Sequence, residues 1–273
     1  TIEVFNYRQA MIWAMDVLKT RRMNLSFIKE LHSILLKGAR GEKYRGKFRE
    51  EQVFIGKKGA KIEEATYIPP EPILIPEYME NLEEYILSND QNAMVKSAII
   101  HYQFEAIHPF QDGNGRIGRL LIPLYLYNKE LLYKPILFLS GYFDKNREGY
   151  INHLHLVDTE KKYEEWVKFF LISVKNQAKE TQKLIYQIRD LANEVKAKTE
   201  FIKSPYISKV IDFIFSNPIF SNSELSRYIK ANRATSSRLI KKLQDLKILT
   251  SFIPSKKKRE LYIFESLIKL LSY

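Results

Sequence analysis

The stretch His108-Pro109-Phe110-Gln111-Asp112-Gly113-Asn114-Gly115-Arg116-Ile117-Gly118-Arg119 gathers a base, an acid, two guanidiniums and small loop residues. An imidazole can take a proton from a hydroxyl near neutral pH, so His108 is a candidate general base. Arg116 and Arg119 are three residues apart, share a helix face and can grip one polyphosphate. Gly113 and Gly115 let backbone N–H groups approach a phosphate with no Cβ in the way. Asp112 is an acid in a cationic cradle, which suits Mg²⁺ held against phosphate oxygens. Together these groups fit a nucleotide polyphosphate and a hydroxyl nucleophile. They leave open which phosphorylated group moves.

Each feature alone has an ordinary structural reading: a histidine after a helix, a turn, two solvated arginines. Their coincidence in one short segment argues for a site. No Gly-Lys-Ser/Thr follows the glycines, so the segment is not the common P-loop. No strand precedes it and the glycine spacing is wrong for a dinucleotide fingerprint.

The elements that must position these groups follow from the pattern. Met94, Ala98, Tyr102 and Ala106 recur at four-residue spacing, which predicts a helix over 93–107. Pro109 pushes His108 out of the helical region and ends it. Asn114 or Gly115 opens a second helix carried by Ile117, Leu120, Leu121, Leu124 and Tyr125. Pro123 inside it costs a hydrogen bond and predicts a kink. The loop therefore lies at a helix N-terminus, where unpaired N–H groups attract phosphate.

The segment resembles the Fic family, whose pattern is His-x-Phe-x-Asp/Glu-Gly-Asn-Gly-Arg-x-x-Arg. His108, Phe110, Asp112, Gly113, Asn114, Gly115, Arg116 and Arg119 meet every specified position. The resemblance runs over about 4–179 and is of the bacterial type that carries a C-terminal winged helix. It implies a mainly α fold: a Fic-type helical bundle with a β-hairpin flap, plus a small winged-helix domain. It also implies transfer of AMP from ATP to a Ser, Thr or Tyr hydroxyl of a target protein, with release of pyrophosphate. His108 would be the general base and Asp112 would hold Mg²⁺ (or Mn²⁺). Gly113, Asn114 and Gly115 would form the anion hole. Arg116 would bind the β-phosphate, Arg119 the γ-phosphate, and Phe110 would point into the core. The choice of AMP over another phosphorylated group rests on the family.

Residues 52–70 read as a β-hairpin, with Val53, Phe54, Ile55, Thr66 and Tyr67 as strand formers bounded by Gly56, Gly59 and the Pro69-Pro70 pair. The resemblance makes this a flap on which the target protein docks through backbone pairing. Val53, Phe54, Ile55 and Gly56 would then line the nucleotide site. The basic segment 41–49 leads into the flap and receives no catalytic role. A helix over 146–157 places Tyr150 where relatives supply an aromatic residue to the adenine pocket; Ile151 stands where some carry a second Tyr. His32 and His101 read as packing or surface residues, while His153 and His155, two apart, cannot share a helix face and are not expected to form a metal pair.

Many relatives carry an inhibitory Ser/Thr-x-x-x-Glu-Gly/Asn motif. Glu80-Asn81 and Glu148-Gly149 are preceded at the fourth position by Pro76 and Asp144, so neither fits. The expectation is that the motif lies upstream of Thr1 and that Arg119 is free of it. The same Glu serves AMP removal, so no such removal is expected.

The 273 residues are 45% hydrophobic, which suffices for a core or two. No apolar run is long enough to span a membrane, and none has the basic start and apolar core of a secretory signal. The absence of Cys excludes disulfides, thiolate metal sites and Cys catalysis in this chain and agrees with the expected cytoplasmic location. Of the formal charge of +12, a net +9 falls within 203–273, from fourteen Lys or Arg against five Asp or Glu. The expected organisation is a Fic domain over 1–195, a linker over 196–204 and a winged helix-turn-helix domain over 205–273. In the last, helices are predicted over 206–215, 223–229 and 234–247, with strands over 249–253 and 261–264. Arg233, Ser236, Ser237, Arg238, Lys241 and Lys242 would face a DNA major groove, and Lys256, Lys257 and Lys258 at the wing tip would meet phosphates. The alternative functions are therefore a DNA-binding regulator with a nucleotide-sensing Fic domain, or a Fic enzyme that transfers another phosphorylated group, and the pattern leaves room for a homodimer.

Overall fold

Helical periodicity governs most of the chain, and the fold is mainly α. The structure, a computed structural model, describes residues 2–56, 59, 61–88, 92–253 and 260–271. Contacts divide the chain into two compact units, Thr1–Ala178 and Lys179–Tyr273.

The first unit contains α1 (Ile2–Val17), α2 (Leu25–Leu35), α3 (Ile75–Leu87), α4 (Ala93–Ile107), α5 (Asn114–Asn128), α6 (Ser140–Lys145), α7 (Arg147–Glu160) and the first half of α8 (Tyr163–Thr199). Asn24 caps α2 by accepting from Phe27 N at 2.9 Å, and Asn92 caps α4 by accepting from Met94 N at 2.9 Å. Phe27, Leu31, Phe104, Leu120, Leu121, Trp166 and Phe170 are fully buried in one core. Burying such side chains supplies the main stabilisation, roughly 1.5–3 kcal/mol each. Trp166 Nε1 donates to Ala98 O at 2.9 Å, so α8 is tied polar-to-polar to α4. Asn6 on α1 donates to the carbonyls of Leu35 and Lys37 at the end of α2, where helix carbonyls lack internal partners.

Helices α4 and α5 match the predicted pair, and α5 continues through Pro123. They pack closely because Gly118 offers no side chain: a Cβ there would lie 2.2 Å from Glu105 Oε1 and 3.2 Å from Phe104 Cδ1.

The predicted hairpin over 52–70 is reduced to one antiparallel bridge, Ile55 with Tyr67, among the described residues. A short 3-10 turn over Ile62–Glu64 takes up the intervening chain. Tyr67 Oη donates to Ala106 O at 2.8 Å, so the returning arm of this flap is fixed to α4.

The second unit contains α9 (Ile207–Ser216), β1 (Ile219–Phe220), α10 (Asn222–Ile229), α11 (Arg233–Asp245), β2 (Thr250–Phe252), β3 (Leu261–Ile263) and α12 (Glu265–Leu271). Its sheet is antiparallel in the order β1-β3-β2, with Ile219 opposite Ile263 and Ser251 opposite Tyr262. Val210, Ile214, Phe220, Leu225, Leu239, Leu243 and Phe264 form its core. The division between the units falls inside α8, which runs to Thr199 and so enters the segment expected as a linker. Val195 on α8 and Ile202 just after it are both buried in the second core.

Arg233, Ser237, Arg238, Lys241 and Lys242 are exposed on α11. Ser236 is not: it is fully buried, and its hydroxyl bonds to the Asn222 side chain and to Arg233 O. It is a packing residue between α10 and α11 rather than a groove-facing one. Lys256, Lys257 and Lys258 lie outside the described residues.

Candidate active site

The site begins where α4 stops. His108 is the residue after α4 and stands in the left-handed region, φ 51° and ψ 58°, not in the extended conformation expected before Pro109. Its N–H still donates to Phe104 O at 3.0 Å, so it closes the helix while turning the chain out of it. Non-glycine residues avoid this conformation at a cost of roughly 1–2 kcal/mol, and such strain persists only where neighbours hold it.

The imidazole is half-buried. Its Nδ1 lies 3.3 Å from Glu105 O. A carbonyl only accepts, so Nδ1 carries the proton and Nε2 keeps its lone pair. Burial, with help from the nearby Arg49 cation, pushes His108 down from 6.5 to about 4, while the Glu105 carbonyl opposes the shift. At neutral pH it is an unprotonated base.

Phe110 then turns inward with no exposure, as expected. It stacks on His32 at 3.8 Å between centroids and 6° between planes. Asn114 closes the loop: its Oδ1 accepts from Phe110 N at 2.8 Å and its Nδ2 donates to Phe110 O at 2.7 Å. The Asn114 side chain is therefore committed to the loop, and its backbone N–H is what it can offer an anion.

His32 is a strut that its sequence context did not reveal. Gly46 N donates to its Nδ1 at 2.9 Å, so Nε2 carries the proton and donates to Asp112 O at 2.8 Å. The ring is fully buried, and burial pushes it down to about 4, so it is neutral. Gly113 beside it has φ 88°, and a Cβ there would sit 3.4 Å from His32 Nε2. The left-handed conformation calls for glycine, while a Cβ would find only ordinary contact there.

Gly113 precedes α5 with no side-chain cap. The first intrahelical bond to it comes from Ile117 N at 3.0 Å, so the N–H groups of the first turn point outward unspent. Arg116 faces this turn and pairs with Asp112 Oδ1 at 3.4 Å and Glu3 Oε1 at 3.3 Å. Asp112 also accepts from exposed Arg40 at 3.1 Å. Arg119 is half-buried over Gly115, where a Cβ would lie 2.9 Å from its guanidinium. Among the described residues it has no hydrogen-bond or ion-pair partner. It is a free cation beside an uncapped helix end.

Below α5, His101 Nδ1 donates to Gly118 O at 3.0 Å, so its Nε2 accepts from Tyr150 Oη at 3.1 Å. Tyr150 stacks on Phe143 at 4.5 Å. Its hydroxyl is thus used inward, which leaves the ring as the part able to meet a base. Val53, Phe54, Ile55 and Gly56 form the incoming arm of the flap, with Phe54 and Ile55 exposed.

No group of three metal-ligating side chains occurs among the described residues. A single carboxylate is enough for Mg²⁺ that keeps its waters and shares substrate phosphates, so Asp112, partly exposed beside the uncapped turn, fits that role.

Residues 22–126 match the profile of the Fic/DOC family. This segment is a Fic/DOC domain. A probable protein adenylyltransferase of Aquifex aeolicus is 37% identical over 91 residues, 33% of this chain and 26% of that protein. A protein adenylyltransferase Fic of Nematostella vectensis is 31% identical over 107 residues, 38% of this chain and 23% of that protein. The chain thus spans about a quarter of the length of these relatives. A crystal structure of a Fic family protein from Desulfovibrio desulfuricans G20 shares the fold at a TM-score of 0.57 and 20% identity, over 97% of this chain and 76% of that one. No helix among the described residues is long and apolar enough to cross a membrane.

Proposed function

We propose that the chain is a protein adenylyltransferase, moving AMP from ATP to a Ser, Thr or Tyr hydroxyl of a target protein. The observation that carries this reading is the free Arg119 beside the uncapped start of α5, on the same loop and helix as an unprotonated His108. The relatives named above support the choice of AMP.

In this reading His108 Nε2 takes the proton of the target hydroxyl, and that oxygen attacks the α-phosphorus. The bond from the α-phosphorus to the bridging oxygen breaks, and pyrophosphate leaves with the electron pair. The first-turn N–H groups of α5, with Arg116 on the β-phosphate and Arg119 on the γ-phosphate, neutralise the charge that develops. Arg116 exchanges its weak, half-exposed pairs with Asp112 and Glu3 for phosphate. Mg²⁺ or Mn²⁺ at Asp112 would screen the phosphate oxygens. The flap arm at 53–56 lies over the nucleotide, and the backbone near the Ile55–Tyr67 bridge pairs with the target, while the Tyr150 ring meets adenine. His108→Ala is expected to abolish labelling of a target from ATP labelled at the α-phosphate while ATP binding persists. Labelling retained in that variant would remove His108 from the role of base.

A second reading, a DNA-binding regulator, is favoured by the exposed Arg233, Arg238, Lys241 and Lys242 of α11. A winged-helix unit using them should bind duplex DNA with an affinity that falls steeply as salt rises. Replacing the four by Glu should end the binding and spare AMP transfer. No binding at low salt would reject this reading.

A further inference from the structure

Arg49 is only 3% exposed, yet it pairs with no carboxylate among the described residues. A buried guanidinium is costly unless its donors are filled. Here carbonyl oxygens take four of its five donors. Nε donates to His108 O at 2.9 Å, one terminal nitrogen to Glu51 O at 3.3 Å, and the other to Pro70 O and, at 3.5 Å, to Ile107 O. Its backbone N–H donates to Pro109 O at 2.9 Å. Three consecutive carbonyls, 107 to 109, therefore converge on this one residue. The carbonyls of Ile107 and His108 are released where α4 ends and carry the partial negative charge of the helix terminus, and that of Pro109 follows directly. The remaining bonds reach both ends of the flap, its entry at Glu51 and its exit at Pro70.

We propose that Arg49 is a positioning residue for His108: it clamps the left-handed turn that aims the imidazole and locks that turn to both arms of the flap. The inference rests on the reading of His108 as the base. Base and target-docking element are then registered by a single side chain, so a hydroxyl presented by the flap arrives at a fixed distance from Nε2. Lysine cannot replace it, because one ammonium on a flexible stem lacks the planar fork that reaches several carbonyls at once. Arg49 is also the charged side chain that acts on the His108 ring, and it favours the unprotonated form.

The test compares wild type, Arg49→Met and Arg49→Lys by two readouts. The first is the titration and tautomer of the His108 imidazole, followed by long-range proton–nitrogen NMR without turnover. In Arg49→Met the titration should move to higher pH, because the cation is lost and water enters, and the Nδ1–H tautomer should no longer dominate. Arg49→Lys keeps the charge, so its titration should stay near wild type. The second readout is AMP transfer. Misplacing the base should lower kcat roughly 10- to 100-fold in both variants, with KM for ATP little changed. The acid limb of the pH profile should rise in Arg49→Met alone. A folded Arg49→Met with the wild-type titration and kcat would overturn the proposal. Should Arg49→Met not fold, an unchanged kcat in Arg49→Lys would overturn it as well. A wild-type protein that transfers no AMP would defeat the functional reading, and the NMR titrations would still decide whether Arg49 sets His108.

Discussion

Of the five histidines, the three around the site, His32, His101 and His108, are divided by their hydrogen bonds into two struts and one base. His32 and His101 each use one nitrogen to donate and the other to accept, so neither has a lone pair left for chemistry. His108 uses only Nδ1. The two struts make the fold acid-sensitive. Burial pushes His32 down to about 4 and His101 to about 3. The unfolded chain binds their protons from about pH 6.5, so their contribution is fully present above that pH and is lost as pH falls through the folded values. Each can add about 1.4 kcal/mol per pH unit to the fall. Glu105 works the other way. Burial pushes it up to about 7, so its contribution is present below about 4.5 and is lost as pH rises through 7. Urea unfolding between pH 4.5 and 6.5 should show stability rising with pH, and more steeply in Glu105→Gln. Equal slopes in the two proteins would contradict these assignments. At this scale the sequence disclosed the residues that face a ligand, because base, acid and arginines stand together in a short segment. It did not disclose His32, Asn114 or Arg49 as supports, because the carbonyls and amides they hold are far away in the chain or belong to the backbone, and side-chain types carry no trace of them.

Among elements, α4 and α5 decide the site, since one ends at His108 and the other begins after Gly113. Their bounds were legible from four-residue periodicity and from Pro109. The αL turn at His108 was not, because the steric rule for a residue before proline favours extended backbone and here the Arg49 clamp overrides it. The flap was legible as an element but not in its extent. Strand-forming residues at 53–55 and 66–67 pair only at Ile55 and Tyr67, since the chain between them turns into a 3-10 segment. Close packing of the two motif helices depends on Gly118. Gly118→Ala places a methyl against the Glu105 carboxyl and the Phe104 ring, and should destabilise the protein by about 1–3 kcal/mol. Adding Glu105→Ala should recover part of that loss. A thermal unfolding cycle over the four proteins checks it, and strictly additive changes would mean that the two side chains do not meet.

For the molecule as a whole, charge and core composition pointed to a basic C-terminal unit, and the structure assigns it a core of its own. Its helices lie close to their predicted positions because an amphipathic stripe is a strong local signal. Contacts divide the chain within α8, ahead of the linker expected over 196–204, because a residue on the same helix beyond that point, Val195, is buried in the second core. The proposed transfer of AMP belongs to the Fic/DOC site of the first unit alone. The measurement that tests it most directly incubates the chain and a lysate with ATP labelled at the α-phosphate, in parallel with ATP labelled at the γ-phosphate, in the presence of Mg²⁺. Label on protein from the α position only, absent in His108→Ala, is the predicted result. Label from the γ position, or none from either, would contradict it.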